Sequence, residues 1–398
     1  MLSIKKAKEI LFKNVELNGV IKKEVQHCYG FVSAENIFSP VNIPYFNQSS
    51  VDGFAVNFES GFLDNNKFSF SLSGEIKAGD KPVKKLKNNS AVFIYTGAAV
   101  PLNATCVVMQ EKAEVKNECV IISATDLSAE RNIRLKGSQI RKSKSALLKG
   151  QLLNPASVGF LCSMGLNQIK VFRKPVVSVL STGNELQKPG EKLSAGNIYE
   201  SNSYMLSAAL KQCGFDSAEL CSAKDSKAEI LNSVKKLLGK SDVVVITGGI
   251  STGKYDLVKE LLFKTGVREI FYKVSQKPGK PLFAGIYKNK LVFALPGNPA
   301  AALVCFYEYV LPSLRKMSGF KKYELMKVML PLADSYEVKG DRDLFLKANA
   351  ENGEVKILEG QGSDILKSFS EANALVYLSC QNRRINKGSP VETHLLPL

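Results

Sequence analysis

The sequence predicts a multidomain protein of class α/β plus β, in which a central, mostly parallel α/β domain sits between a β-rich insert and a small C-terminal β domain. Three observations carry this. Unbroken Val/Ile runs, Val176–Leu180 and Val243–Ile246, alternate with helical stretches, the pattern of parallel strands covered on both faces. Between Gly30 and Ile122 the chain reads as short β-rich pieces broken by Gly, Asp, Pro and Asn. Beyond Gly319 helical periodicity fades and short apolar runs return. The 398 residues, at ~150 per domain, suffice for two to four domains.

Ile4, Ala7, Leu11 and Val15 follow helical spacing until Gly19, so the chain opens with a helix. Phe68–Leu72, Ala91–Tyr95 and Cys119–Ile122 are the strands of the insert. Asn154 and Pro155 place a cap and a first-turn proline before a short helix that Gly165 stops. After Pro175 come strand Val176–Leu180, helices Ser203–Cys213 and Ser226–Leu238, and strand Val243–Ile246. A helix Asp256–Lys264, strands Ile270–Val274 and Leu291–Ala294, and a helix from Pro299 towards Met317 complete the domain. Strands at Val328–Leu330, Phe345–Ala348 and Leu375–Leu378 make the last domain. The expected divisions are residues 1–40 with 127–172 (an N-terminal helix and linking domain), 41–126 (β-rich), 173–319 (α/β) and 320–398 (C-terminal β).

Composition narrows the chemistry. Two histidines, His27 and His394, near opposite ends leave little scope for His-based triads or paired-His zinc sites, so carboxylates, hydroxyls, lysines and backbone must do the work. The balance of 54 Lys+Arg against 37 Asp+Glu gives +17, with the lysines scattered and no block of five. Such a field attracts anions in general, leaving nucleic acid, acidic lipid and oxyanionic substrates all open. No aromatic and basic residues interleave on one element, and no nucleic-acid recognition motif is present. The eight cysteines form no CxxC and sit mostly in apolar stretches, as buried thiols of a reducing compartment do. Charges interrupt the N-terminal segment and no apolar run reaches the ~18 residues of a membrane span, so a cytoplasmic protein is expected.

In open α/β sheets ligands gather outside the carboxyl ends of the strands. Gly248, Gly249, Ser251 and Gly253 follow the strand ending at Ile246 and open a helix, an arrangement whose N–H groups can cradle a phosphate. Gly248 to Lys254 spells G-x-x-x-x-G-K, but Tyr255 stands where a nucleotide P-loop needs Ser or Thr, so the match is incomplete and a plain glycine turn is the alternative. Glu185, Asp225 and Asp256 stand at strand-to-helix junctions and suit a hydrated Mg²⁺ held against phosphates; each also reads as a helix cap or first-turn charge. Lys277-Pro-Gly-Lys280, with Lys273 upstream and Pro296-Gly297-Asn298 downstream, sets lysines on a rigid turn, fit to hold an oxyanion.

At this point the sequence resembles the MoeA family, the molybdopterin molybdenumtransferases that include the E domain of gephyrin. The matching segments are Pro44–Val56, Gly74–Gly79, Ile94–Ala98, Val107–Glu111, Asn132–Arg134, Ser181–Leu186, Ile198–Asn202, the glycine loop with Asp256, Lys277–Pro281 and Leu295–Pro299, in family order over nearly the whole chain. The resemblance implies an α/β domain of the molybdopterin-binding type and insertion of molybdate into adenylated molybdopterin, with Mg²⁺-dependent loss of AMP. It implies an elongated homodimer whose cleft combines domains of both subunits. The partners are then adenylated molybdopterin, molybdate, a second copy of the chain and proteins of molybdoenzyme maturation, with neither nucleic acid nor membrane. By position, Asp52, Thr96, Glu185, Asp225, Lys273 and Lys277 match catalytic residues. Asp256 with Glu185 matches the metal site, and Gly248, Gly249, Ser251, Gly253, Lys280, Pro296, Gly297 and Asn298 are the expected substrate-binding positions. Asn184 replaces the family's usual aspartate, and Lys254 stands where glutamate is common. The C-terminal segments Asp341–Leu346, Gly360–Ser363 and Ser368–Ser370 match more loosely and receive no role. Two other readings remain: a molybdopterin adenylyltransferase on the same α/β domain, against which the β-rich insert speaks, and a noncatalytic scaffold, against which retention of the acids and lysines speaks.

Overall fold

A computed structural model describes all residues except 59–65, 82–84, 251–256, 382 and 398. The chain divides into two compact units, one of Met1–Ala34, Gly150–Asn154 and Gln168–Leu398, the other of Glu35–Lys149 and Pro155–Asn167.

The first unit is built on a six-stranded sheet whose spatial order is Ser217–Ala223, Val177–Thr182, Val243–Thr247, Lys290–Leu295, Phe283–Tyr287 and Arg268–Tyr272. The first four strands are parallel, Phe283–Tyr287 runs antiparallel to both of its neighbours, and Arg268–Tyr272 again follows the direction of the first four. Alternate residues serve opposite faces. Val177, Val179, Val243, Val245 and Phe293 pack against the helices Ile4–Lys13, Asn202–Gln212 and Pro299–Cys305. Leu180, Val244, Ile246, Val292 and Ala294 pack against Lys227–Lys240 and Leu257–Lys264. Burial on both faces is why these strands carry no polar alternation and were legible as continuous apolar runs.

A second sheet in this unit runs Gln276–Lys277, Asp343–Glu351, Ala374–Leu378, Pro390–Leu395 and Met326–Pro331. Its first strand comes from the lysine turn that follows the α/β strand Arg268–Tyr272, pairing Gln276 with Asp343 and Lys277 with Leu344. The two parts of the unit are also joined through a buried ionic cluster. Glu308 is 1% exposed and lies 2.5 Å from Lys8 Nζ and 2.7 Å from His394 Nδ1. Burial alone would raise its carboxyl, but Lys8 and His394 prevail and bring it down to about 2.

The other unit carries a six-stranded sheet ordered Cys106–Met109, Gly53–Asn57, Ser90–Ile94, Lys67–Ile76, Cys119–Ser123 and Ala113–Lys116, with Phe54, Phe70, Val108 and Ile122 in one of its cores. The helix Pro155–Ser163 belongs to the same unit.

Several elements differ from the sequence expectation. Ser217–Ala223 is a strand although its Ser, Glu and Cys residues show no apolar run, because as the sheet's edge it is only half covered. Phe283–Tyr287, broken by Gly285, forms a hairpin with Lys290–Leu295 through Lys288 at φ 55°. The strand expected at Ile270–Val274 runs instead over Arg268–Tyr272, since Lys273 adopts φ 64° and ends it. The helix from Pro299 to Met317 is continuous but widens into a π segment over Phe306–Val310, where Glu308 sits. The helix expected from Asp256 is described from Leu257; Asp256 lies outside the described residues.

Candidate functional site

The parallel strands end level with one another. Thr247 stands beside both Ser181 and Leu295, and Thr182 beside Ala223, so the following loops emerge along one edge of the sheet. These loops and the start of the helix Asn202–Gln212 enclose a cavity of about 410 Å³. Two glycines let the loops approach. A Cβ on Gly248, at φ 86°, would stand 2.3 Å from the Thr182 carbonyl oxygen, and one on Gly249, at φ 63°, 2.4 Å from Val258 Cγ2. Asn202 ties two loops together, donating to Thr247 Oγ1 and to the Gly297 carbonyl, both at 2.7 Å. Its Oδ1 and the Thr182 Oγ1 are buried and have no hydrogen-bond partner among the described residues, leaving acceptors beside the cavity.

Glu185 and Asp225 both line this cavity and both are exposed. The Glu185 carboxylate folds back over Gly183, where a Cβ would come within 2.7 Å of its oxygens. Asp225 donates its N–H to Asn184 Oδ1 at 3.1 Å, so this asparagine braces the neighbouring acid. Partial burial, and then repulsion from Glu185, raise the Asp225 pKa. Glu200, on the same wall, is occupied: its two oxygens accept from Ser203 N at 2.8 Å and Ser203 Oγ at 2.6 Å, fastening the helix start. Among the described residues no three acidic, His or Cys side chains gather closely enough to hold a metal ion. Ser251, Gly253, Lys254 and Asp256 lie outside the described residues.

A larger cavity, of about 890 Å³, opens next to the first and shares Ile250, Gly297 and Asn298 with it. Lys277, Lys280, Lys339 and Arg342 belong to its lining, Lys339 paired at 2.9 Å with Glu337 of the same wall, and Pro296 stands at the border. Asn298 donates to Ser363 Oγ at 2.7 Å and the Ala301 N–H to the Ser363 carbonyl at 3.1 Å, so a C-terminal loop closes over the Pro-Gly-Asn-Pro turn. Lys273 lines neither cavity: its ammonium rests 4.8 Å from the centre of the Tyr272 ring.

Asp52 and Thr96 belong to the other unit. Thr96 donates to Asp52 Oδ1 from its N–H at 2.7 Å and its hydroxyl at 2.8 Å, and these two bonds lower the carboxyl pKa, the backbone bond foremost.

Sequence reasoning left Arg342, Ser363, Asp364 and Asn202 without a role, yet all line one cavity or the other. Arg342, Ser363 and Asn202 stood in the family-like stretches Asp341–Leu346, Gly360–Ser363 and Ile198–Asn202, which was the available signal, and Asp364 directly follows one of them. Cavity and charge define the class first: a multidomain α/β plus β protein with carboxylates on one side of a cleft and a cluster of cations on the other.

Comparison with known proteins then supplies the family. Residues 2–165 match the MoeA N-terminal region (domain I and II), 178–316 a probable molybdopterin binding domain, and 329–396 the MoeA C-terminal region (domain IV). The chain is 30% identical over 373 residues to a molybdopterin molybdenumtransferase of Haemophilus influenzae, covering 92% of this chain and 91% of that one. It is 30% identical over 401 residues to the Staphylococcus epidermidis protein of the same name, covering 99% and 95%. A solved molybdopterin biosynthesis MoeA protein from Pyrococcus horikosii superposes with a TM-score of 0.82 at 30% identity, covering 100% of this chain and 99% of that one. The chain belongs to the MoeA family of molybdopterin molybdenumtransferases, and is thereby a transferase of molybdenum cofactor biosynthesis.

Proposed function

We propose that this chain inserts molybdate into adenylated molybdopterin with Mg²⁺-dependent release of AMP, acting as a cytoplasmic homodimer. The observation that carries the reading is the junction of two unlike cavities at Gly297 and Asn298, one with exposed carboxylates and one lined by Lys277, Lys280 and Arg342 beside the Lys339–Glu337 pair. The acidic side suits a phosphate-bound divalent ion; the basic side suits an oxyanion.

The donor chemistry fits Mg²⁺. Glu185 and Asp225 offer hard oxygens at an exposed wall, where hydrated Mg²⁺ takes one or two carboxylates and completes its shell with water and phosphate. Partial burial and then the charge of Glu185 raise the Asp225 pKa, and a cation between the two carboxylates relieves the second of these. Asp256 is the third acid of this reading. When bound, the ion supplies charge neutralisation for the adenylate phosphates. Gly248 and Gly249 let the backbone approach those phosphates, and Asn202 and Thr182 offer acceptors to donors on the substrate. Lys277, Lys280 and Arg342 hold molybdate in line with the adenylated substrate. Little covalent enzyme chemistry is needed; alignment and charge carry the reaction. Among the described residues no helix is long and apolar enough to cross a membrane.

The test is AMP release from adenylated molybdopterin with titrated Mg²⁺ and molybdate. Release that requires both, and that falls at least tenfold in Glu185→Gln and Asp225→Asn at unchanged fold, is expected from the loss of a charged ligand. Formation of the adenylate from ATP and molybdopterin, with release of pyrophosphate, would instead favour an adenylyltransferase, and no turnover in either assay would favour a noncatalytic scaffold.

A further inference from the structure

The cationic turn Lys277-Pro-Gly-Lys280 rests on a fully buried polar pair. Gln276 and Tyr309 are both 0% exposed, and neither lines a cavity. The Tyr309 hydroxyl, from the π segment, donates to Gln276 Oε1. That leaves the Gln276 amide nitrogen facing the turn, where it donates to the Pro278 carbonyl at 3.1 Å and lies 3.7 Å from Cys305 Sγ. The Gln276 main-chain carbonyl accepts from Arg342 Nη1 at 3.4 Å. Gly279, at φ 91°, closes down on the same support: a Cβ there would stand 2.7 Å from Gln276 Nε2 and 2.6 Å from Cys305 Sγ.

We infer that Gln276 and Tyr309 are positioning residues for oxyanion binding, setting the lysines of the turn and the Arg342 guanidinium in one arrangement. The physical reason is the asymmetry of an amide. Gln276 presents one acceptor and one NH₂ group, and only the orientation with oxygen towards Tyr309 puts a donor against Pro278. Without the phenolic hydroxyl the Gln276 oxygen loses its partner, so the amide that donates to the Pro278 carbonyl is no longer held from behind and the turn is fixed less firmly. Tyr309 thus acts two residues removed from the ligand, through Gln276 and then the backbone. The inference rests on the reading that Lys277 binds the oxyanion.

The experiment measures binding of molybdate alone by calorimetry, and steady-state turnover, in Tyr309→Phe, Lys277→Ala and the double variant. About a fivefold rise in the molybdate Kd and KM is expected for Tyr309→Phe, with kcat and the KM for adenylated molybdopterin within about twofold. Because both act on one turn, the double variant should lose about as much as Lys277→Ala alone, less than the product of the two single losses. Unchanged molybdate binding in Lys277→Ala overturns the oxyanion reading itself. Weakened binding in Lys277→Ala with none in Tyr309→Phe, or losses that multiply, overturns the positioning role alone. So does a Tyr309→Phe protein that melts at lower temperature but keeps its molybdate KM. Should Tyr309→Phe fail to fold, Gln276→Met, which keeps the length of the side chain without its NH₂, is read by the same criteria.

Discussion

Thr96 donates twice to a single oxygen of Asp52, at 2.7 Å from its N–H and at 2.8 Å from its hydroxyl, so the two residues form one rigid acidic unit. The carboxylate is thereby held ionised below its ordinary range. In Thr96→Val the hydroxyl bond is lost and the N–H bond kept, so the Asp52 titration midpoint should move up part of the way, read by NMR of its side-chain carbon. Turnover should fall about tenfold, the scale of one lost hydrogen bond to a charged group. An unmoved midpoint would show that the hydroxyl does nothing for the acid.

Backbone closeness in the cleft predicts a contrast between glycines. Gly248→Ala must push against the Thr182 carbonyl at 2.3 Å and adopt φ 86°, so the loops should separate and activity should drop by at least tenfold. Gly239, within the helix Lys227–Lys240, has nothing within 4 Å of a Cβ. Gly239→Ala should leave turnover alone and stabilise the protein by about 0.5–1 kcal/mol in denaturant titration.

The Glu308 cluster predicts both a stability loss and a pH signature. Glu308→Gln leaves Lys8, 8% exposed, without its buried counter-charge, costing about 3 kcal/mol at neutral pH. The folded carboxyl lies at about 2, below its ordinary 4.5, so its contribution is complete above 4.5 and is lost as pH falls towards 2. Unfolding free energy should therefore decline over that window in the unaltered protein and decline less steeply in Glu308→Gln.

Four lysines separate local geometry from general charge. Lys277→Ala and Lys280→Ala, on the cavity wall, should each cost about 2 kcal/mol of transition-state stabilisation in molybdate-dependent turnover. Lys235→Ala and Lys321→Ala, exposed and away from both cavities, should be nearly silent. Equal small losses at all four would reduce the effect to the +17 net charge.

The homodimer reading predicts complementation. Asp52→Ala and Glu185→Ala chains, each inactive alone and altered in different units, should recover part of the activity when mixed and allowed to exchange. A sedimenting monomer with full activity at assay concentration would remove that reading.

What the sequence determined by itself was everything set by short-range chemistry. The Val/Ile runs announce strands buried on both faces, Gly248 and Gly249 announce a tight loop, and Pro278 with Gly279 announces a rigid turn, because each depends on its own side chain and nearest neighbours. Tertiary structure alone decided which distant segments meet. Ser363 reaches Asn298, Arg342 joins the Gln276 carbonyl, and Glu308 finds Lys8 some 300 residues earlier in the chain. No local period encodes such pairings, since they follow from sheet register and from the burial of apolar faces that bring remote elements together. The same cause set Lys273 aside from the cavities: its left-handed backbone ends a strand and turns its ammonium onto Tyr272, an orientation that spacing from Lys277 could not foretell.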